Sequence, residues 1–452
     1  MQIKDILGIS NARLLVGNKE DALGHVCKDT RAMLPGDTYI AFRGEKFDGN
    51  DFYEQAFLGG AKTCILSHLD DMEEVSRKYA DKNIILVDDT VDFIMKAASK
   101  KRDLIHVPLI AVTGSVGKTS TKNLIASVLE KKYTVLKTQG NLNTNIGLSL
   151  TLLNYQEEDV IVLEMGMNTF GEIRTLTHIA KPTIAVITNI GTSHIGNLGS
   201  RENILKAKLE ILEGLSGPIL VNNDNDLLHD WVLNEEYSPV ITFGIEEESD
   251  YQAKDILYST HGSRFMIGDE EYQIPVYGSA FIYNALVSLA IGMMLGVEKT
   301  DIKEALKSIP SEAHRMNVIQ KKDITIIDDT YNANYDSVAF ALEVLSSFSG
   351  RKIAVLGDIL EMGDFSEEIH RKIGKLVVER KINYLITVGN DAWYINEEAM
   401  ANGFDKEKSF HFNTNAEAIT LLNNLLQKDD YVLVKASHSM NFIEIVEGMI
   451  NE

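Results

Sequence analysis

The sequence predicts an α/β protein of three domains: a small mixed α/β N-terminal domain, a central P-loop ATPase-like domain on a parallel sheet, and a C-terminal doubly wound α/β domain. Three observations carry this. The chain has 452 residues, more than one core of about 100 to 200 residues organises. Apolar β-branched runs alternate with helical patterns in two separate stretches. Only seven prolines occur, and two stand where the pattern resets: Pro108 ahead of the apolar run 109–112, and Pro310 after the helical stretch 301–308. The expected domains are therefore 1–107, 108–310 and 311–452.

In chain order, the first domain mixes β-like runs at 37–42, 62–66 and 84–87 with helical stretches. It contains no GxGxxG, so nothing there supports a dinucleotide fold. In the second, strands are expected at 109–113, 160–163, 184–188 and 218–221, with helices such as 118–131 and 201–212 between them. The greasy run 285–297 reads as a buried helix, too short for a membrane span. The third repeats the alternation, with strands at 324–327, 353–356, 384–388 and 431–434. Ligands of open α/β sheets sit at the carboxyl ends of strands. Polar clusters fall there at 113–119, Glu164, Thr188 and Asn189, Asp328 and Asp329, Gly357 and Asp358, and 435–439. Two domains with such edges predict a cleft between them.

A net charge of −22 argues against a nucleic-acid surface and against docking on anionic lipid. An anionic ligand would need a local pocket of Lys, Arg and backbone N–H groups. The opening residues lack the apolar run of a signal peptide. Cys27 and Cys64 have no metal or CxxC spacing and read as reduced thiols. The expected location is the cytoplasm, without membrane insertion.

The chemistry centres on TGSVGKTS, residues 113–120, between a strand and a helix. That context makes a phosphate loop: Thr113, Gly114, Ser115, Val116, Gly117 and Ser120 offer backbone N–H groups and hydroxyls at a helix N-terminus. Lys118 would reach the β and γ phosphates, and Thr119 would ligate Mg²⁺. A general P-loop has a glycine five positions before Gly117, where this chain has Val112. Glu164 ends an apolar strand. Alone it would be solvated surface; downstream of a GKT loop it is a candidate Mg²⁺ ligand.

The shortened loop resembles that of the Mur ligase and folylpolyglutamate synthase superfamily. Further stretches resemble the Mur ligases essentially end to end: CKDTRAMLPGDTYIAFRGEKFDGNDF (27–52), KTQGNLNTNIGLSLTLL (137–153), EMGMNTFGEI (164–173), DDTYNAN (328–334) and GDILEMG (357–363). The branch resembled adds D-Ala-D-Ala to UDP-N-acetylmuramoyl-tripeptide. A DNPR motif of a sibling branch is absent. Departures occur at Ala280 and Phe281 in GSAFIYN, at Ala436 and His438 in VKASHSM, and at Tyr335 after TYNAN.

The resemblance implies ATP, two Mg²⁺ ions and a carbamylated lysine as cofactors. Thr119 and Glu164 would serve one metal, His194 and Lys208 the other. Lys208 is preferred to Lys206 because residues 207–211 match the family's A-K-x-x-[LI]. Carbamylation needs a neutral amine, hence a lysine with a lowered pKa. Arg315 would reach the γ-phosphate on closure, Asp329 the ribose, and Asn284 and Tyr331 the adenine. Thr30, Arg31, Gly44 and Asp48 are expected to contact the uridine nucleotide. Asn141, Asn143, Asn145, Asn332 and Asn334 are expected to contact substrate. The implied catalyst is a monomer working through an acyl phosphate. A folylpolyglutamate synthase would lack the N-terminal domain ahead of the loop, and a silent ATP-binding scaffold would not need Lys118, Glu164, His194 and Lys208.

Overall fold

The computed structural model describes residues 1–234, 237–259, 262–308 and 314–450, and among these the chain forms four sheets. The N-terminal sheet contains β1 (Arg13–Val16), β2 (Val26–Cys27), β3 (Thr38–Ile40), β4 (Thr63–Leu66) and β5 (Asn83–Leu86). Its order is β1-β5-β4-β3-β2, and only the β1/β5 pair is antiparallel. The helix Thr90–Asp103 leads out of it. Buried Arg102 on that helix donates from Nε to the Ala180 carbonyl at 2.7 Å, which fastens this domain to the next.

The central sheet contains β6 (Leu109–Thr113), β7 (Val135–Lys137), β8 (Val160–Glu164), β9 (Ile184–Ile187), β10 (Ile219–Asn222), β11 (Val240–Gly244) and β12 (Tyr251–Gln252). The order β12-β11-β10-β9-β6-β8-β7 is parallel throughout. Its middle strands β6, β8 and β9 are buried at every residue, which their unbroken apolar runs require of a sheet covered on both faces. One helix, Lys118–Leu129, covers the sheet and packs against Ser279–Met294, the predicted greasy helix.

A small antiparallel sheet of β13 (Lys254–Ser259), β14 (Gly262–Ile267) and β15 (Glu270–Ile274) was not expected from the sequence. Neither were β7, β11 and β12. β7 and β12 are short edge strands and β13–β15 mix polar with apolar residues, so no clean apolar run marks them. β11 does carry an apolar run at 240–243, inside the sheet, that the sequence reading does not include. The predicted helix 201–212 is α-helical only over Arg201–Leu209, then tightens to a 3₁₀ turn at Glu210–Gly214.

The C-terminal sheet contains β16 (Asn317–Lys321), β17 (Ile324–Asp328), β18 (Arg351–Gly357), β19 (Tyr384–Val388), β20 (Ser409–Phe412) and β21 (Asp430–Lys435). Its order is β16-β17-β21-β18-β19-β20, with only β16/β17 antiparallel. The four strands expected from the sequence form its interior. Pro310, read as the second joint, lies outside the described residues. The α/β architecture with a parallel central sheet and a C-terminal α/β domain is as predicted.

Candidate active site

The carboxyl ends of the central strands and the loops of the C-terminal domain enclose a cavity of about 570 Å³. The phosphate loop forms one wall. Gly114 is there because a Cβ would meet Thr188 Oγ1 at 1.9 Å, and Gly117 takes a left-handed φ of 83° at the start of the helix. Asn189, at the end of β9, accepts through Oδ1 from the N–H groups of Ser115 (3.1 Å) and Val116 (2.8 Å). Thr188 Oγ1 donates to the Val116 carbonyl at 2.6 Å. The loop is therefore held by its neighbouring strand before any ligand arrives. Lys118 curls back, its Nζ donating to the Gly114 carbonyl at 2.9 Å. Desolvation lowers its pKa, Glu164 opposes this, and Arg315 adds to it.

Glu164 ends β8 beside β6 and is buried. Its Oε1 accepts from Asn143 Nδ2 at 2.8 Å, while Oε2 is buried without a hydrogen-bond partner. His194 caps the short helix Ile195–Leu198 in a left-handed conformation. Its Nδ1 is likewise buried without a hydrogen-bond partner, although Glu361 Oε2 lies 3.3 Å away. Burial, with Lys118 and Lys208 nearby, pushes its pKa down to about 4, so the imidazole is neutral at pH 7. Each of these two orphaned atoms, a carboxylate oxygen and a neutral imidazole nitrogen, fits a ligand of a divalent cation. Among the described residues no three His, Cys, Asp or Glu side chains form a metal cage. Mg²⁺ suits such a site, since it binds through one or two protein ligands, phosphates and water.

Lys208 is 2% exposed on the helix Arg201–Leu209, whereas Lys206 on the same helix is exposed. Desolvation first, then Lys118, hold Lys208 well below the usual lysine value. It does not line the cavity. Burial thus shifts this lysine in the direction that carbamylation requires.

From the C-terminal domain, Arg315 lays its guanidinium over the Tyr331 ring, 3.8 Å from the centroid, and both line the cavity. Asp329 is buried. Its Oδ1 accepts from the Met316 N–H at 3.1 Å, and Oδ2 sits 2.6 Å from Lys435 Nζ, itself 2% exposed. Burial raises the Asp329 carboxyl against the pull of that ammonium. Asn284 accepts from Thr121 Oγ1 at 2.8 Å just behind the phosphate loop. Asn332 contributes its carbonyl to Lys435 at 2.8 Å. Asn334 caps the helix Tyr335–Ser347 and donates to Ser193 Oγ of the central domain.

Lys118, Thr119, Ser115, Val116, Gly117, Ser120, Glu164, His194, Asn284, Arg315, Asp329, Tyr331, Asn141, Asn143, Asn332 and Asn334 therefore share one cavity. The remaining expected site residues lie outside it. Thr113 is buried with its hydroxyl on the Met165 carbonyl, and Gly114 forms the loop's underside. Asn145 starts the helix Asn145–Leu153 and bonds the Ile146 N–H. Thr30, Arg31, Gly44 and Asp48 belong to the N-terminal domain. There Arg31 pairs with Asp29 at 2.7 Å, Asp48 accepts from the Asn50 N–H, and the Gly44 N–H bonds the Phe47 carbonyl. The cavity residues without a role in the sequence reading include Ser193, Glu361, Lys435 and His438. GDILEMG and VKASHSM contain three of them, but their bearing on the cavity is tertiary.

Comparison with known proteins agrees with this architecture. Three domain patterns match in order: the Mur ligase family catalytic domain at 24–102, the middle domain at 112–292 and the glutamate ligase domain at 314–438. The Bacillus subtilis UDP-N-acetylmuramoyl-tripeptide–D-alanyl-D-alanine ligase is 35% identical, over 99% of this chain and 98% of its own. The Escherichia coli protein of the same name is 32% identical over 94% of each. Among solved structures, MurF from Acinetobacter baumannii superposes with a TM-score of 0.89 at 28% identity, covering 100% of this chain and 99% of that one. The Thermotoga maritima MurF ligase in complex with ADP gives 0.82 at 29% identity, covering 95% of this chain and 97% of that one. With relatives this similar over their whole length, the chain belongs to the Mur ligase family.

Proposed function

We propose that the protein is an ATP-dependent amide ligase that joins D-Ala-D-Ala to UDP-N-acetylmuramoyl-tripeptide in peptidoglycan precursor synthesis. The observation that carries this reading is full-length similarity to ligases of that name. It is joined by a phosphate loop, an orphaned carboxylate oxygen and an orphaned imidazole nitrogen in one interdomain cavity.

A carboxylate is a poor electrophile, and ATP makes it a good one. The tripeptide carboxylate attacks the γ-phosphate and forms an acyl phosphate with release of ADP. The dipeptide amine then adds to the acyl carbon, and phosphate leaves. Charge accumulates on oxygens in both steps, so the catalyst is mainly positioned positive charge. Lys118 supplies it from the phosphate loop and Arg315 from the C-terminal domain as it closes. Thr119 and Glu164 would hold one Mg²⁺, and His194 with carbamylated Lys208 a second. Bound there, the ions would neutralise phosphate charge. Asp329 would hold the ribose, with Asn284 and Tyr331 at the adenine. Thr30, Arg31, Gly44 and Asp48 would hold the uridine nucleotide; Asn141, Asn143, Asn145, Asn332 and Asn334 would contact substrate. Closure of 311–452 over 108–310 excludes water, which would otherwise hydrolyse the acyl phosphate. The domain 1–107 carries the nucleotide-sugar end. The enzyme acts as a cytoplasmic monomer; no helix among the described residues is long and apolar enough to cross a membrane.

The test is phosphate release from ATP with each substrate omitted in turn. Release that requires both UDP-tripeptide and D-Ala-D-Ala supports the reading. A dipeptide panel in which another acceptor is preferred ten-fold or more, about 1.4 kcal/mol of discrimination, would replace it by a paralogue with a different acceptor.

A further inference from the structure

The phosphates, the tripeptide carboxylate and the acceptor's own carboxylate are all anions. The acceptor's ammonium is the cation whose nitrogen must reach the activated carboxyl. This inference rests on the function proposed above. Among the described residues, three carboxylates line the cavity: Glu164, Asp329 and Glu361. The first is buried and tied to Asn143, and the second is paired with Lys435. Glu361 differs from both. Its side chain is 66% exposed, its one ion-pair-range neighbour among the described residues is the His194 ring at 3.3 Å, and that contact lacks hydrogen-bond geometry.

The chain holds Glu361 in place at some cost. Its φ is +66°, a left-handed conformation uncommon for a residue with a Cβ. Just ahead of this position the backbone is pinned. Ile359 N–H donates to His370 Nε2 at 3.0 Å, and Leu360 N–H donates to Ser437 Oγ at 2.9 Å. The 361–363 backbone lies against the short helix that follows His194. A residue in a left-handed conformation, following two hydrogen-bonded backbone positions and with its carboxylate left without a hydrogen bond at the domain boundary, is a built feature of this loop.

We propose that Glu361 receives the ammonium group of the incoming dipeptide and orients its nitrogen toward the activated carboxyl. A metal role is the competing use of an unpaired carboxylate. It is disfavoured because the Glu361 side chain is 66% exposed, unlike the buried Glu164 carboxylate.

The experiment is steady-state kinetics of Glu361→Gln with ATP, Mg²⁺, UDP-tripeptide and D-Ala-D-Ala. The KM for the dipeptide should rise on the order of ten-fold or more, as expected on loss of a charge-assisted hydrogen bond. The KM for ATP, the KM for UDP-tripeptide and the half-saturating Mg²⁺ should stay within about two-fold of wild type. A dipeptide analogue with a hydroxyl in place of the ammonium, measured as an inhibitor, should bind both proteins alike. An unchanged dipeptide KM, or an equal loss of the hydroxyl analogue, overturns the proposal; so does a raised Mg²⁺ requirement, which would make Glu361 a metal ligand. If the Gln variant melts early, Glu361→Asn serves instead, since Asn tolerates the left-handed backbone. Failure of the wild type to use this pair would sink the function itself, a result distinct from an active wild type and an indifferent variant.

Discussion

Asp336 Oδ2 accepts the Thr192 N–H at 2.8 Å, joining the first turn of a C-terminal-domain helix to the central domain. The phosphate loop is one hydrogen bond further on. Gly191 N–H donates to Ser115 Oγ at 2.9 Å, and Ser193 Oγ donates to the Ser115 carbonyl at 3.1 Å. The position of the C-terminal domain is thereby registered at the nucleotide site. Asp336→Ala should raise the KM for ATP several-fold with the fold intact, whereas Asp336→Asn, which keeps an acceptor oxygen, should recover most of the loss. Gly191→Ala should mimic the Ala variant, because its Cβ would lie 2.1 Å from Asp336 Oδ2. Wild-type kinetics in both would make this contact incidental.

Lys118→Ala removes the positive charge of the phosphate loop. Phosphate release should fall to background at any ATP concentration, with an unchanged thermal midpoint. Near-wild-type turnover at saturating ATP would contradict the phosphate-loop role.

The helix Arg201–Leu209 offers a comparison between two lysines. Lys208 is buried and its pKa is lowered by that burial, while Lys206 is exposed. Lys208→Ala should lose nearly all activity, and added short carboxylic acids should restore part of it by taking the carbamate's place. Lys206→Ala should keep most activity. The reverse pattern would show that the register of the assignment is wrong.

His370 is fully buried, with Nε2 accepting from Ile359 N–H and Nδ1 2.7 Å from the Ser366 carbonyl. Both contacts require the neutral ring with its proton on Nδ1. Burial accordingly lowers its pKa below the ordinary value of 6.5. The unfolded chain then takes up the proton first. Stability from this group is full above about pH 6.5 and is lost as pH falls from there toward the folded-state value. His370→Phe should cost about 1–3 kcal/mol, because it leaves Ile359 N–H buried and unpaired. It should also flatten the decline of the thermal midpoint between pH 7.5 and 5 relative to wild type; parallel declines would rule out this titration.

Local patterns were the legible part of this molecule. The interior strands β6, β8, β9, β17, β18, β19 and β21 could be read because both faces are buried and the runs are apolar throughout. In β16, by contrast, half-buried and exposed residues alternate, and β7 has three residues. TGSVGKTS was readable because a phosphate loop is built from consecutive residues. Asp336, Glu361 and His370 were not, since each acquires its meaning from partners distant in the chain or across the cleft. The burial of Lys208 was accessible only through family resemblance: charge and helical position alone would put a lysine in solvent.

The central claim is that this chain spends ATP to make one particular amide bond. The most direct measurement incubates the protein with ATP, Mg²⁺ and D-Ala-D-Ala, together with UDP-N-acetylmuramoyl-tripeptides carrying either lysine or diaminopimelate at the third position, and follows the products by mass. The account predicts a UDP-N-acetylmuramoyl-pentapeptide from at least one of them, with one ADP and one phosphate per bond formed. ATP hydrolysis without pentapeptide, or no ATP consumption with either tripeptide, would contradict it.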